Sequence, residues 1–234
     1  MPRKTALLAL ALVMLILGTV GVVAGIILKH QPAFYRAALI TDRENRVAQS
    51  REFAGRFWNL IDSVDNPDWW EIFTAEQINS FLQEDFIRSW GGDNNLPDGF
   101  HDLRVQIEEN KLRLGCRYGT GFWSTVVSID LKMWLVDKEV NLIGMELLNL
   151  RAGALPVSRQ IMLDHITETA RRSNIECTWY HREGNPVAIL KLQADQARPT
   201  IQLERFDLRP GKIIIVGRST ESYFTHSPGK PKAK

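Results

Sequence analysis

The sequence predicts an α+β domain: a curved antiparallel sheet system packed with two amphipathic helices, behind a single N-terminal transmembrane helix and a helical stalk. Three observations carry that expectation. Thr5–Leu28 contains 24 residues without a charge. From about residue 101 apolar side chains recur at every second position, the period of a half-buried strand. Two short stretches, opening at Thr74 and near Pro156, instead repeat apolar residues at helical spacing.

The leader comes first. Arg3 and Lys4 precede the apolar run, which as a helix would be about 36 Å long at roughly 1.5 Å per residue, enough to cross a bilayer with some tilt. Val22-Val23-Ala24 has the small residues of a cleavage site. However, Gly25-Ile26-Ile27-Leu28 continues the apolar run beyond it, and a cleavable signal has a shorter apolar region. The reading is therefore an uncleaved anchor, N-terminus inside, with the domain extracytoplasmic. Lys29, Arg36, Arg43 and Arg46 follow on the other side, so the positive-inside count does not set this orientation, and long domains translocate largely regardless of charge. The expected organisation is a basic N-terminus (1–4), an anchor (5–28), a helical stalk (29–66), an α+β domain (67–222) and a disordered tail (223–234).

Composition narrows the class. With 44% hydrophobic and 24% charged residues, the 234-residue chain can build a core. Its net charge of +2 comes from the ends: without Arg3, Lys4, Lys29, Lys230, Lys232 and Lys234, 23 basic residues face 27 acidic ones. No basic stripe is visible, so no nucleic-acid partner is expected. Cys116 and Cys177 fall on the apolar phase of strands and read as small buried residues, with a single disulfide as the alternative.

After Pro32, residues 33–63 read as one long helix. Val47, Ala54, Trp58 and Ile61 form its apolar face, and the polar run 41–52 suits a solvated stalk. Asn66-Pro67-Asp68 breaks it, and Trp69-Trp70 follows in what reads as a loop. "FTAEQINSFL" (73–82) opens the first amphipathic helix, because Thr74 with Gln77 three positions on makes a capping box. Leu103, Val105 and Ile107, then Leu112, Leu114 and Cys116, alternate with polar residues as an antiparallel pair. Strands follow at 122–136 and 139–150, the latter apolar on both phases and so in need of cover on both faces. Residues 156–172 form the second helix, with Val157, Ile161, Ile166 and Ala170 inward and Arg171 and Arg172 suited to its C-terminal dipole. Four strands complete the chain: 175–182, 186–194, 199–208 and 212–218. Pro210-Gly211 marks a type II turn before the last of them.

No catalytic constellation accompanies this scaffold. The five histidines lack metal-site spacing, no nucleophile elbow occurs, and Gly119-Thr120-Gly121 precedes a strand instead of a helix N-terminus. Neither an enzyme nor a metal or other cofactor is expected. The aromatics are the better lead. Trp69, Trp70 and Trp90 cluster around the opening helix and, with Ile78, Asn79, Phe81 and Leu82, form a candidate lip for an apolar groove. Core filling is the competing reading for these tryptophans. Asn79 either satisfies backbone groups of a neighbouring loop or orients a polar ligand head.

The order of the leader, "FTAEQINSFL", "LPDG" (96–99) and "AGALP" (152–156) resembles YpmS-like proteins, uncharacterised bacterial single-pass membrane-anchored domains. More remotely the plan is similar to the tubular lipid-binding superfamily, whose curved sheet wraps a helix and leaves an apolar groove. The resemblance implies contact with membrane lipids and assigns no site residue. The expected function is a non-enzymatic envelope protein binding or passing lipid-like molecules. An anchored scaffold for an envelope protein partner is the alternative.

Overall fold

The computed structural model describes residues 2–63, 68–86, 96, 98–121, 124–137, 139–172, 175–192 and 201–219, with α1 side chains described from Met14 onward. Trp90 and the tail 223–234 lie outside these residues. Helices α1 (Pro2–Leu28), α2 (Ala33–Ala37) and α3 (Arg43–Ser63) lead into strand β1 (Asp68–Thr74) and helix α4 (Ala75–Glu84). Then come β2 (Phe100–Glu108), β3 (Lys111–Tyr118), β4 (Thr125–Leu135), β5 (Leu142–Ala152) and the short β6 (Leu155–Pro156). Helix α5 (Gln160–Arg172) precedes β7 (Glu176–Arg182), β8 (Asn185–Lys191), β9 (Ile201–Arg209) and β10 (Lys212–Ser219).

The α+β class and the antiparallel pairing agree with the expectation, but the strands form two sheets. The larger runs β2-β3-β4-β5-β8-β7, with β6 on β5; the smaller is β1-β10-β9. The segment read as a loop at Trp69-Trp70 is the edge strand β1, paired in register with β10 from Asp68↔Arg218 to Thr74↔Lys212. Its partner lies far away in the sequence, and no local pattern reveals such a pairing. The hairpin tips lock the sheets together: the Asn110 N–H donates to the Leu208 carbonyl at 3.0 Å and the Gly211 N–H to that of Ile107 at 2.9 Å.

One face of the large sheet carries the core. Leu131, Met145, Leu147 and Ala188 are buried there, and Leu163 and Ile166 of α5 cover them. Leu147 is 1% exposed, a burial worth about 2 kcal/mol. Trp179 packs on the same cluster and donates through Nε1 to Thr167 Oγ1 at 2.8 Å. Helix α5 starts at Gln160, so Val157 precedes it and is 40% exposed. The double-sided burial of β5 is real, but its second face is partly polar: buried Glu146 accepts from Asn185 Nδ2 at 2.8 Å.

Cys116 and Cys177 are both free and partly buried. Burial pushes the Cys116 thiol up to about 12 and raises that of Cys177. Since the thiolate is the nucleophile, iodoacetamide at pH 8 should leave Cys116 unmodified in the folded chain and modify it rapidly in urea. Peptide mapping checks this; equal labelling in both states would contradict its burial.

Within 29–66, Ala33–Ala37 and Arg43–Ser63 are helical, yet they are no detached stalk. The expected single helix breaks at 38–42, where Asp42 Oδ1 accepts from the Glu44 N–H at 3.0 Å and caps α3. Helix α3 then packs on β1 and α4. Phe53 lies 5.1 Å from Phe73 and 4.9 Å from Phe81, ring centroid to centroid. Arg46 pairs with Glu84 and Arg56 with Glu71, each at 2.6 Å, and the Ser50 hydroxyl donates to Asp85. The packed face is therefore Ser50, Phe53 and Phe57, while Trp58 points outward at 53% exposure. Its many polar residues hold the helix to the domain.

Helix α1 ends on the large sheet. The Ala154 N–H donates to the Ile27 carbonyl at 3.0 Å and Thr125 Oγ1 to that of Leu28 at 2.5 Å, capping two of its last carbonyls. Counting only described residues, which in α1 means the side chains from Met14, no helix is long and apolar enough to cross a membrane.

Candidate functional site

The site begins with α2, a single turn held against the polar face of the large sheet by two aromatic rings. Tyr35 is fully buried and Phe34 nearly so. They sit on Gly115, where an added Cβ would come within 2.7 Å of Tyr35 and 3.1 Å of Phe34, so only the missing side chain lets the helix approach. The Tyr35 hydroxyl donates to the Asp102 carbonyl at 2.7 Å. Buried Arg104 donates to the Tyr35 carbonyl at 2.8 Å and lies 4.2 Å from its ring centroid. Burial pushes the Tyr35 phenol above its ordinary range, with Arg104 acting in the opposite direction. The aromatic pair is thus a fixed post.

The second wall is α4. Its capping box forms as the sequence implies: Thr74 Oγ1 accepts from the Gln77 N–H at 3.1 Å, and Gln77 Oε1 from the Thr74 N–H at 2.9 Å. One turn later Asn79 faces the edge of β2. Its Nδ2 donates to the Val105 carbonyl and its Oδ1 accepts from the Val105 N–H, both at 2.8 Å. The amide substitutes for a missing strand neighbour, so the backbone it satisfies belongs to an edge strand and not to a loop.

Between these walls the α2–α3 link spans an open cleft of about 690 Å³. Phe34, Ala37, Ala38, Leu39 and Ile40 form one side, Ala75, Glu76 and Asn79 another, and Val105–Glu108 the floor, with Pro210 and Gly211 closing an end. Its volume falls within the range of small-molecule sites and its lining is mostly apolar.

Among the sequence-derived candidates that are described, only Asn79 lines this cleft. Trp69 is buried at 8% exposure, its ring stacked over Gly217. Trp70 lies on the opposite face of β1, 65% exposed. Phe81 is buried against Phe53 and Phe86, while Ile78 and Leu82 are half-buried on α4. These residues do not converge on one opening, and "FTAEQINSFL" is chiefly a core plug whose first turn borders the cleft. The residues missed are those of the α2–α3 link; the signal was Thr41-Asp42, a helix N-cap inside the presumed continuous helix.

Among the described residues, no group of three or more histidine, cysteine, aspartate or glutamate side chains could hold a metal ion. No family model, curated protein or solved structure matches the chain, so the site rests on its own geometry.

Proposed function

We propose that the chain is a non-enzymatic, membrane-anchored protein whose extracytoplasmic domain holds a lipid-like ligand in the cleft beside α2. The observation that carries this reading is the exposed surface of α1. Met14, Leu15, Ile16, Leu17, Val20, Val22, Val23 and Ile26 are each 48% or more exposed, on every side of the helix. A helix apolar all round is stable in an apolar surrounding and costly in water. Thr19, the polar side chain among them, donates to the Leu15 carbonyl at 2.8 Å, the usual way a hydroxyl is satisfied in lipid. Because the last turn of α1 is bonded directly to the domain, anchoring would set the cleft at the membrane surface. The resemblance to YpmS-like proteins, which implies lipid contact, points the same way.

A second reading, a scaffold for a protein partner, is favoured by the outer face of the small sheet. There exposed Trp70 stands beside half-buried Ile72, Ile214 and Val216.

The test uses the full chain. After alkaline washing of membranes it should remain in the pellet, and native mass spectrometry from neutral detergent should show a reproducible bound lipid. Leu39→Glu introduces a charge at an exposed position of the cleft wall. A carboxylate against an acyl chain should cost more than the ~1.4 kcal/mol that equals a tenfold loss of affinity. Release by the wash would sink the anchor. A folded, anchored chain that binds no lipid would sink the ligand and direct attention to the Trp70 face.

A further inference from the structure

A second cavity of about 360 Å³ lies where α1 meets the large sheet. His30 and Pro32 line one side, directly after the last turn of α1, and Gly153 and Ala154, which receive that turn, line another. Its floor is the polar face of β3, β4 and β5, which presents Lys111, Arg113 and Arg151 with the single carboxylate Asp130. Ser128 and Asn149 add small polar groups.

The charges are unevenly matched. Asp130 is shared between Lys111 Nζ at 3.3 Å and Arg113 Nε at 3.5 Å, and it accepts from Asn149 at 3.2 Å. Glu108, just outside the lining, takes Arg113 at 3.2 Å and Lys111 at 3.7 Å. Arg151 makes no ion pair among the described residues, so its guanidinium is the cation left over. The negative end of the α1 dipole opposes an anion here, but the Ile27 and Leu28 carbonyls already accept from Ala154 and Thr125.

We propose that this cavity binds a phosphate-bearing anion, with Arg151 supplying the paired donors beside Lys111 and Arg113, whose charges Asp130 and Glu108 balance. The inference rests on the anchored reading for its source: with α1 in the bilayer, the cavity opens at headgroup level, where an anionic phospholipid would present its phosphate. Phe34 lines both this cavity and the cleft, so a lipid headgroup site would adjoin the proposed apolar site. Free phosphate shares the same chemistry, and the test separates the two.

Full-length protein in neutral-detergent micelles is titrated with short-chain phosphatidylglycerol, short-chain phosphatidylcholine and inorganic phosphate, and adducts are counted by native mass spectrometry. The expected result is one phosphatidylglycerol per chain, bound at least tenfold more weakly by Arg151→Gln and by Asn149→Asp. Arg182→Gln, at the distant β7–β8 turn, should bind as the natural chain does. Saturable binding of inorganic phosphate with the same Arg151 dependence, and no preference for the lipid, would support the site and assign it to free phosphate. Absence of any saturable adduct, or adducts indifferent to both variants in a folded chain, would overturn it. Membrane retention is read separately, so an Arg151-dependent phosphate adduct on a chain that washes off membranes would sink the anchor and leave the site standing.

Discussion

Replacing Asn79 with leucine should lower the unfolding free energy of the full chain by about 2 to 6 kcal/mol, because each buried backbone group left unsatisfied costs about 1–3 kcal/mol. The side chain is 3% exposed, and its two bonds to Val105 are the contacts that hold α4 along the β2 edge. Leucine keeps the volume and removes both bonds, leaving the Val105 N–H and carbonyl facing hydrocarbon. Asn79→Asp separates the two: it retains an acceptor for the Val105 N–H and loses the donor to the carbonyl, so it should also destabilise. Urea unfolding in mild detergent, followed by tryptophan fluorescence, measures both. A leucine variant within about 0.5 kcal/mol of the natural chain, the range of an ordinary surface change, would mean that the amide is no substitute strand. The same variant should loosen the floor of the cleft, since Asn79 and Val105 both line it.

Gly153→Ala should release α1 from the domain. Gly153 has φ +60, and an added Cβ would lie 2.4 Å from the carbonyl oxygens of both Ile27 and Leu28. The left-handed backbone costs an ordinary residue roughly 1–2 kcal/mol. The larger effect is the clash, because its targets are backbone atoms that cannot rotate away. To relieve it the junction must open, and the bonds from Ala154 and Thr125 to the helix end are lost. Hydrogen exchange at the Ala154 amide should therefore accelerate by at least about tenfold, the factor that corresponds to ~1.4 kcal/mol. Amides of β4 and β5 away from the junction should keep their protection. Unchanged exchange at Ala154 would show that the junction bears no such strain. If the anchored reading holds, this one substitution turns a domain fixed at the membrane into one tethered to it.

Much of the architecture was legible in local pattern. The capping box at Thr74 and Gln77, the two-residue alternation of β2 to β4, the Pro210-Gly211 turn (Gly211 has φ +75) and the helix ending at Arg172 all depend on residues a few positions apart. The apolar run of the leader likewise needs no partner to be seen. What escaped was set by contacts between distant segments. Trp69-Trp70 became a strand because β10 pairs with it, and Phe53 outcompeted Trp58 for the inner face of α3 because Phe73 and Phe81 are there to meet it.

The candidate site divides along the same line. Asn79 stood out as a polar residue in an apolar stretch, a local anomaly. Its partner, the Val105 backbone, carries no side-chain signal at all. Leu39, Val105 and Pro210 belong to three segments far apart in the sequence, and only the docking of α2 on Gly115 and of the β9–β10 turn on β2 places them around one cleft. The basic cavity at the α1 junction was equally hidden, because Arg113 reads as the polar phase of one strand and Arg151 falls just beyond another, the one expected at 139–150. By itself the sequence determined the elements and their inward faces, since helical and strand periods are local properties of the backbone. Which faces meet, and therefore where the openings lie, was decided by tertiary packing between segments as much as 150 residues apart.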